Sequence, residues 1–390
     1  MRPKRLRDAQ VERRPFKARD HAAPPAGGTM MRVDGGRLIR RYARVSHSNA
    51  RRAWSEREGV ILELRSGNVT GVGEASPLPG YSRDDLATCA AELARCWDRL
   101  GAVDEDAPIR EVFRQAVDHS GVRAPAAVFA LETALLDLVS KLRRHPAWIA
   151  LRGDDRAAAI PISALAEGAT PEELADAVAR ARARGIRVVK IKVGGPDGRK
   201  RDPVRLRAVR ERVGTSTALR LDANQTLAVD GLADTLAELA LFDPELIEEP
   251  APPAELAELE GTPIAFAMDE SLMTHGWRER IEAARHQRKY AAVVLKPMVL
   301  GGFERCLEIA EAARDAQLGV IVTHVFDGPI GSAAAACLAL AVQGEVLPCG
   351  LDAHGRFRRP IAAIGETHIL PFEADGLGIE DLSYDEDTRA

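Results

Sequence analysis

The apolar residues of this chain repeat first with the period of strands, then with that of helices, and finally alternate between the two. From about Met31 to Pro77 the pattern is that of strands, and Gly59-Val-Ile-Leu-Glu-Leu-Arg-Ser-Gly67 is a run of β-formers bounded by glycines. Three helical stretches follow. The clearest opens at Pro125 and puts Val128, Leu131, Leu135, Leu138 and Leu142 on one face. Strands followed by helices predict a separate α+β module. From Ile160 short apolar runs alternate with amphipathic stretches. The runs are Ile160–Leu165, Val188–Val193, Ala218–Ala223, Glu245–Glu248, Ile264–Asp269, Ala292–Lys296, Gly319–Val325 and Val346–Leu351. Eight such units predict a closed α/β barrel of the (β/α)8 type. An open doubly wound sheet is the alternative, but its Gly-rich phosphate turn is missing, and Gly194-Gly195 is too short to supply one. The expected organisation is an N-terminal extension over 1–29, disordered, an α+β module over 30–155, the barrel over 156–356, and a segment over 357–390 returning to the first module.

Composition narrows the class. A chain of 390 residues with 46% hydrophobic content has room for a large core. A net charge of -4 argues against a nucleic-acid partner, and the basic stretch Met1 to Arg19 reads as a solvated tail rather than a binding arm. Residues 20–29 read as a linker, and Met30 or Met31 is a candidate natural start. Cys89, Cys96, Cys306, Cys337 and Cys349 are scattered without a CxxC pair, which fits a reducing, cytoplasmic compartment and argues against a zinc site. No stretch is long and apolar enough to span a membrane, and no apolar core follows the basic start as in a secretory signal. A homo-oligomer is compatible with all of this.

The chemistry lies in charges that parallel barrel strands should not contain. In Val189-Lys190-Ile191-Lys192-Val193 both lysines share one face, and in Leu219-Arg220-Leu221-Asp222-Ala223-Asn224 so do Arg220, Asp222 and Asn224. The next three strands end at Glu248-Glu249-Pro250, Asp269-Glu270 and Lys296-Pro297. The order Lys, Asp, Glu, Asp, Lys thus falls at the C-terminal ends of five successive strands, where such barrels carry their active sites. Structural ion pairs would explain any one of these charges; five at the same place in successive units point to a shared site. Three neighbouring carboxylates need a cation, and all-oxygen ligation suits Mg²⁺ or Mn²⁺ rather than zinc. An ordinary lysine, with a pKa of about 10.4, is a poor base at neutral pH. A neighbouring ammonium such as Lys190 beside Lys192, and a metal cation, should lower it.

These motifs together resemble the enolase superfamily, in its muconate-lactonising subgroup, over roughly residues 31–375. The pairing of a lysine base with Mg²⁺ is a general property of that superfamily. The resemblance implies a modified (β/α)7β barrel under an α+β capping domain built from the N-terminal part and the C-terminal tail. It further implies Asp222, Glu248 and Asp269 as Mg²⁺ ligands, Lys192 as base and Lys296 as the opposing lysine; Lys190, the neighbour that tunes Lys192, completes the expected catalytic set. Within the subgroup, Gly73-Glu-Ala-Ser-Pro-Leu-Pro-Gly-Tyr-Ser82, Arg220-Leu-Asp-Ala-Asn224 and Gly350-Leu-Asp352 resemble the o-succinylbenzoate synthases of menaquinone biosynthesis. The implied reaction is syn dehydration of a succinylated hydroxycyclohexadiene carboxylate. Arg220, Asn224, Thr323, His324, Gly350 and Tyr81 are then candidates to contact this small carboxylate substrate.

Two features depart from the pattern. The seventh strand reads Thr323-His324 where many such synthases carry a serine pair. Asp352 stands with His354, without the Asp-x-Asp pair usual in dipeptide epimerases, which weighs against epimerisation without excluding it; dipeptide epimerisation or N-acylamino acid racemisation is the alternative reading. A metal-dependent hydrolase would want histidine ligands, and a non-catalytic binding barrel would leave the five charges without a task. Among other residues, Glu249 and Glu270 are expected to support the ligands and Glu132 and Asp137 to be solvated or capping charges. Trp54 is expected in an early loop, either closing over the site or packing in the core.

Overall fold

The computed structural model describes residues 30–48, 53–104, 106–352 and 361–379. The expectations for 1–29 and for His354 lie outside them. The first module is built on a three-stranded antiparallel sheet of Gly35–Ser48, Ala53–Ser66 and Val69–Ala75. Against it lies the helix Pro125–Leu142, started by a proline in its first turn and buried on nearly every side. The close approach needs small residues on the sheet: a Cβ at Gly73 would run into the Ala130 carbonyl. Burial reaches the helix's charges too. Glu132 and Asp137 are 2% and 1% exposed, so neither is a solvated charge; capping holds for Glu132, though on a helix other than its own. Asp137 instead accepts from the Val72 and Leu377 amides and from Lys141, joining sheet, helix and C-terminal segment. Glu132 reaches across to the barrel, where the Phe303 and Glu304 amides at the start of the helix Phe303–Asp315 donate to it. Nothing in a helical periodicity reveals such a distant partner.

The second module is a seven-stranded parallel sheet in sequential order, from Ser163–Ala166 through Val188–Lys192, Ala218–Asp222, Pro244–Glu248, Phe266–Met268 and Tyr290–Leu295 to Gly319–Val322. The eighth apolar run supplies the last β position without forming a continuous strand. It closes the ring through single bridges, Val346 and Gly350 to the seventh strand and Cys349 to Ile162 beside the first. Helices such as Pro171–Ala183, with a Thr170–Glu173 capping box, cover the outside. This is the (β/α)7β barrel with an α+β cap. The expected first strand splits: Ile160–Pro161 pairs antiparallel with His368–Ile369, and Ser163–Ala166 alone enters the barrel. The C-terminal segment continues to the cap helices, where Trp148 donates to the Phe372 carbonyl and the Ala147 amide to that of Gly376. All five cysteines are buried and free, and no helix among the described residues is long and apolar enough to cross a membrane.

Candidate active site

Strand register sets the first level of the site. Lys192 is opposite Asp222, and Asp222 opposite Glu248, so three charges from adjacent strands stand side by side. Asp269 and Lys296 follow at the ends of the fifth and sixth strands. Asp222, Glu248 and Asp269 are each no more than 3% exposed. Carboxylates at that depth need cationic partners, and the lysines provide them. Lys190 Nζ donates to Glu248 at 2.5 Å and lies 2.9 Å from Asp222, while Lys296 donates to Asp269 and, at 2.6 Å, to the Tyr81 hydroxyl. Among the described residues no three His, Cys, Asp or Glu side chains stand in a ready-made cage, because the Lys190 ammonium occupies the space between two carboxylates.

The electrostatics separate the three lysines. Burial would lower Lys190, but Asp222 and Glu248 outweigh it and hold the ammonium charged well above the usual range. Lys296 is held up in the same way, chiefly by Asp269. Lys192 moves oppositely. Burial, helped by Lys190, pushes its pKa down to about 8 against the pull of Asp222. Burial raises Glu248, whereas Asp222 is held low by the three lysines despite its burial. Burial and Asp269 push Glu270 up to about 8.

Around these groups is a cavity shared by both modules. The barrel contributes Lys190, Lys192, Asp222, Asn224 and Lys296, the seventh-strand end Thr323 and His324, and the closing segment Gly350; the cap contributes Trp54, Leu78 and Tyr81. Five of the six residues expected at substrate therefore line one space. The sixth, Arg220, does not. It shares the inward face with Asp222, but one level deeper, where its 1%-exposed guanidinium donates to Glu245 at 2.7 Å and to the Pro348 carbonyl. Face alone, without depth, cannot separate those roles in a sequence. Trp54 is a strand residue rather than a loop residue, fixed by its indole N–H on the Pro79 carbonyl at 3.1 Å. Glu249 accepts from the Asp269 and Ser271 amides and from Gln225, and Glu270 accepts from Asn224, so both brace the strand ends that carry Asp222 and Asp269. Phe326, Ser163 and Glu167 also line the cavity and escaped sequence reasoning.

The model of the family described as enolase C-terminal domain-like matches residues 173–383. The chain belongs to the enolase superfamily. A second family model, the MenC N-terminal domain, matches residues 48–136 of this superfamily member. Among its curated relatives is an o-succinylbenzoate synthase of Yersinia pseudotuberculosis, 30% identical over 76% of this chain and 82% of that one. The enzyme of the same name from Desulfotalea psychrophila is 29% identical over 72% and 82%. A dipeptide epimerase of Enterococcus faecalis, solved with Mg and L-Leu-L-Tyr, superposes with a TM-score of 0.76, covering 90% of this chain and all of that one at 23% identity. The muconate lactonizing enzyme of Pseudomonas fluorescens gives 0.76 at 22% identity, covering 90% and 96%. At those identities the two structures establish the shared fold.

Proposed function

We propose that this chain is an o-succinylbenzoate synthase, which removes the proton α to a carboxylate and expels the neighbouring hydroxyl. The observation that carries the reading is one cavity lined by both Lys192 and Lys296, with three buried carboxylates between their strands; burial lowers the Lys192 amine, while Asp269 keeps Lys296 charged. The two lysines belong to the second and sixth of eight barrel units, hence to opposite sides of the ring. Lys192 takes the proton from C1 of 2-succinyl-6-hydroxy-2,4-cyclohexadiene-1-carboxylate. The electron pair enters the ring as the C6–O bond breaks, and the Lys192 ammonium returns its proton to the departing hydroxyl, which leaves as water. Lys296 stays protonated and stabilises the negative charge that builds on the carboxylate. The product is aromatic, and no oxidant is needed.

A hard divalent cation, Mg²⁺ or Mn²⁺, fits the donor chemistry of Asp222, Glu248 and Asp269 and would supply further charge neutralisation at the substrate carboxylate. Lys190 must then withdraw from between Asp222 and Glu248. Asn224, Thr323, His324, Gly350 and Tyr81 are the substrate-facing wall in this reading, with residues 30–155 and 357–390 forming the cap over the 156–356 barrel. Dipeptide epimerisation receives no support from the eighth unit. Asp352 is 4% exposed and held by Arg184 through two bonds of 2.6 and 3.0 Å, outside the cavity lining. The test is incubation of the purified protein and Mg²⁺ with the succinylated cyclohexadiene and with a dipeptide panel in D₂O. An ultraviolet-absorbing aromatic product supports the synthase. Deuterium exchange into a recovered dipeptide, with no aromatic product, would replace it by an epimerase.

A further inference from the structure

Directly over the candidate base lies strained backbone. Phe326 has φ 60°, a left-handed conformation that is an outlier for a bulky residue. Its ring centroid is 5.8 Å from Lys192 Nζ and 6.4 Å from the rings of both Trp54 and His324. Its amide donates to His324 Nδ1 at 3.0 Å. Such strain persists only where the surroundings over-determine it, and the group that does so comes from the cap. Arg57, in the strand Ala53–Ser66, is 1% exposed. Its guanidinium donates to the Val325 and Phe326 carbonyls at 3.2 and 3.4 Å, and to the Ser76 carbonyl and, at 2.9 Å, the Pro77 carbonyl. Two acceptors belong to the barrel loop carrying His324 and Phe326; two belong to the cap loop leading to Leu78 and Tyr81. A planar fork of five N–H donors can bridge two main chains in this way, whereas an ammonium cannot hold the same plane.

We propose that Arg57 is a positioning residue for this site: it clasps the cap loop to the loop after the seventh strand and so holds the Phe326 ring over Lys192. Only the kinetic part of this inference rests on the synthase reading. Cap docking and assembly of the cavity wall become one event, since the same guanidinium serves both loops.

Hydrogen exchange and turnover test it on the full chain. In Arg57→Lys, which keeps the charge and loses the fork, amides of 322–328 should exchange about tenfold faster, the effect of one net hydrogen bond. Protection within 188–192 and 218–222 should be unchanged. On the succinylated cyclohexadiene, kcat should fall on the order of 10- to 100-fold with KM moving far less. Added guanidinium should restore part of the loss in Arg57→Ala but not in Lys192→Ala. Phe326→Gly covers the case in which Arg57 variants fail to fold. It should still fold, because glycine suits φ 60° and this relief offsets part of the ring packing that is lost, yet turn over more slowly. Wild-type exchange over 322–328 in Arg57→Lys, or wild-type turnover in Phe326→Gly, overturns the proposal. If the wild-type protein itself forms no aromatic product, the synthase reading falls, and the exchange result still decides the clasp.

Discussion

Between pH 6 and pH 8 the wild-type kcat/KM should rise by up to about 50-fold, less as a bound cation lowers the amine further, and Lys192→Ala should remove both the rate and the slope. The magnitude comes from burial of the Lys192 side chain, which with Lys190 holds the amine at about 8. A base works as the free amine. At pH 6 about 1% of such an amine is free and at pH 8 about half, whereas an ordinary lysine would be only about 0.4% free at pH 8 and its rate would climb to beyond pH 10. A lowered pKa therefore moves activity towards neutrality. A divalent cation bound at the carboxylates would push the same amine lower still, so the ascending limb is expected at or below pH 8. Loss of the base should cost about 10²- to 10⁴-fold in rate. Single-turnover formation of the aromatic product, followed by ultraviolet absorbance at saturating Mg²⁺, isolates the chemical step from product release. A limb above pH 9, or Lys192→Ala within tenfold of wild type, would refute the assignment of Lys192 as a desolvated base.

Three further outcomes are expected. Asp222→Ala should weaken Mg²⁺ binding by more than about tenfold in calorimetry, since it removes one of three oxygen-donor side chains; an unchanged affinity would take Asp222 out of the ligand set. Glu74→Ala should cost about 3–5 kcal/mol in urea unfolding, because it strands Arg41, the Ser76 hydroxyl and the Gly328 and Gly331 amides in a buried setting. A loss below 1 kcal/mol would mean those donors find other acceptors. Arg220→Met should lower stability by about 2 kcal/mol through the loss of Glu245 as partner while leaving KM unchanged, and a raised KM would return Arg220 to the substrate.

The sequence was most informative where an error of physics would be large. A lysine or glutamate inside a doubly buried strand has to be explained, so Lys190, Lys192, Asp222, Glu248, Asp269 and Lys296 stood out, and the structure gathers them at one barrel mouth. Depth within the barrel was not readable. Arg220 and Asp222 alternate alike, yet one is a level below the other. Contacts between modules were also hidden, because their partners are far apart in the chain. Arg57 sits among alternating charges in Ser55-Glu-Arg-Glu58, indistinguishable there from a solvated strand face. Glu132 and Asp137 looked like the polar residues any helix carries, and only the packing of Pro125–Leu142 against sheet and barrel reveals them as buried acceptors. The eighth run, Val346–Leu351, looks apolar enough for a strand but forms single bridges, and Pro348 within it has no amide to donate to a ladder.

Two carboxylates of the N-terminal module complete helices that are not their own. Glu74 takes the amides at the start of Pro329–Ala341, and Glu132 those at the start of Phe303–Asp315. A barrel excised from its lid would begin two of its outer helices with amides left to water in place of a buried carboxylate, just after the two strands nearest Lys296 and His324. Neither half is then a free-standing part. Exchange of whole lids between relatives would disturb the scaffold along with the pocket, and new substrate preferences in such a protein are reached more readily by replacing single side chains in an intact interface.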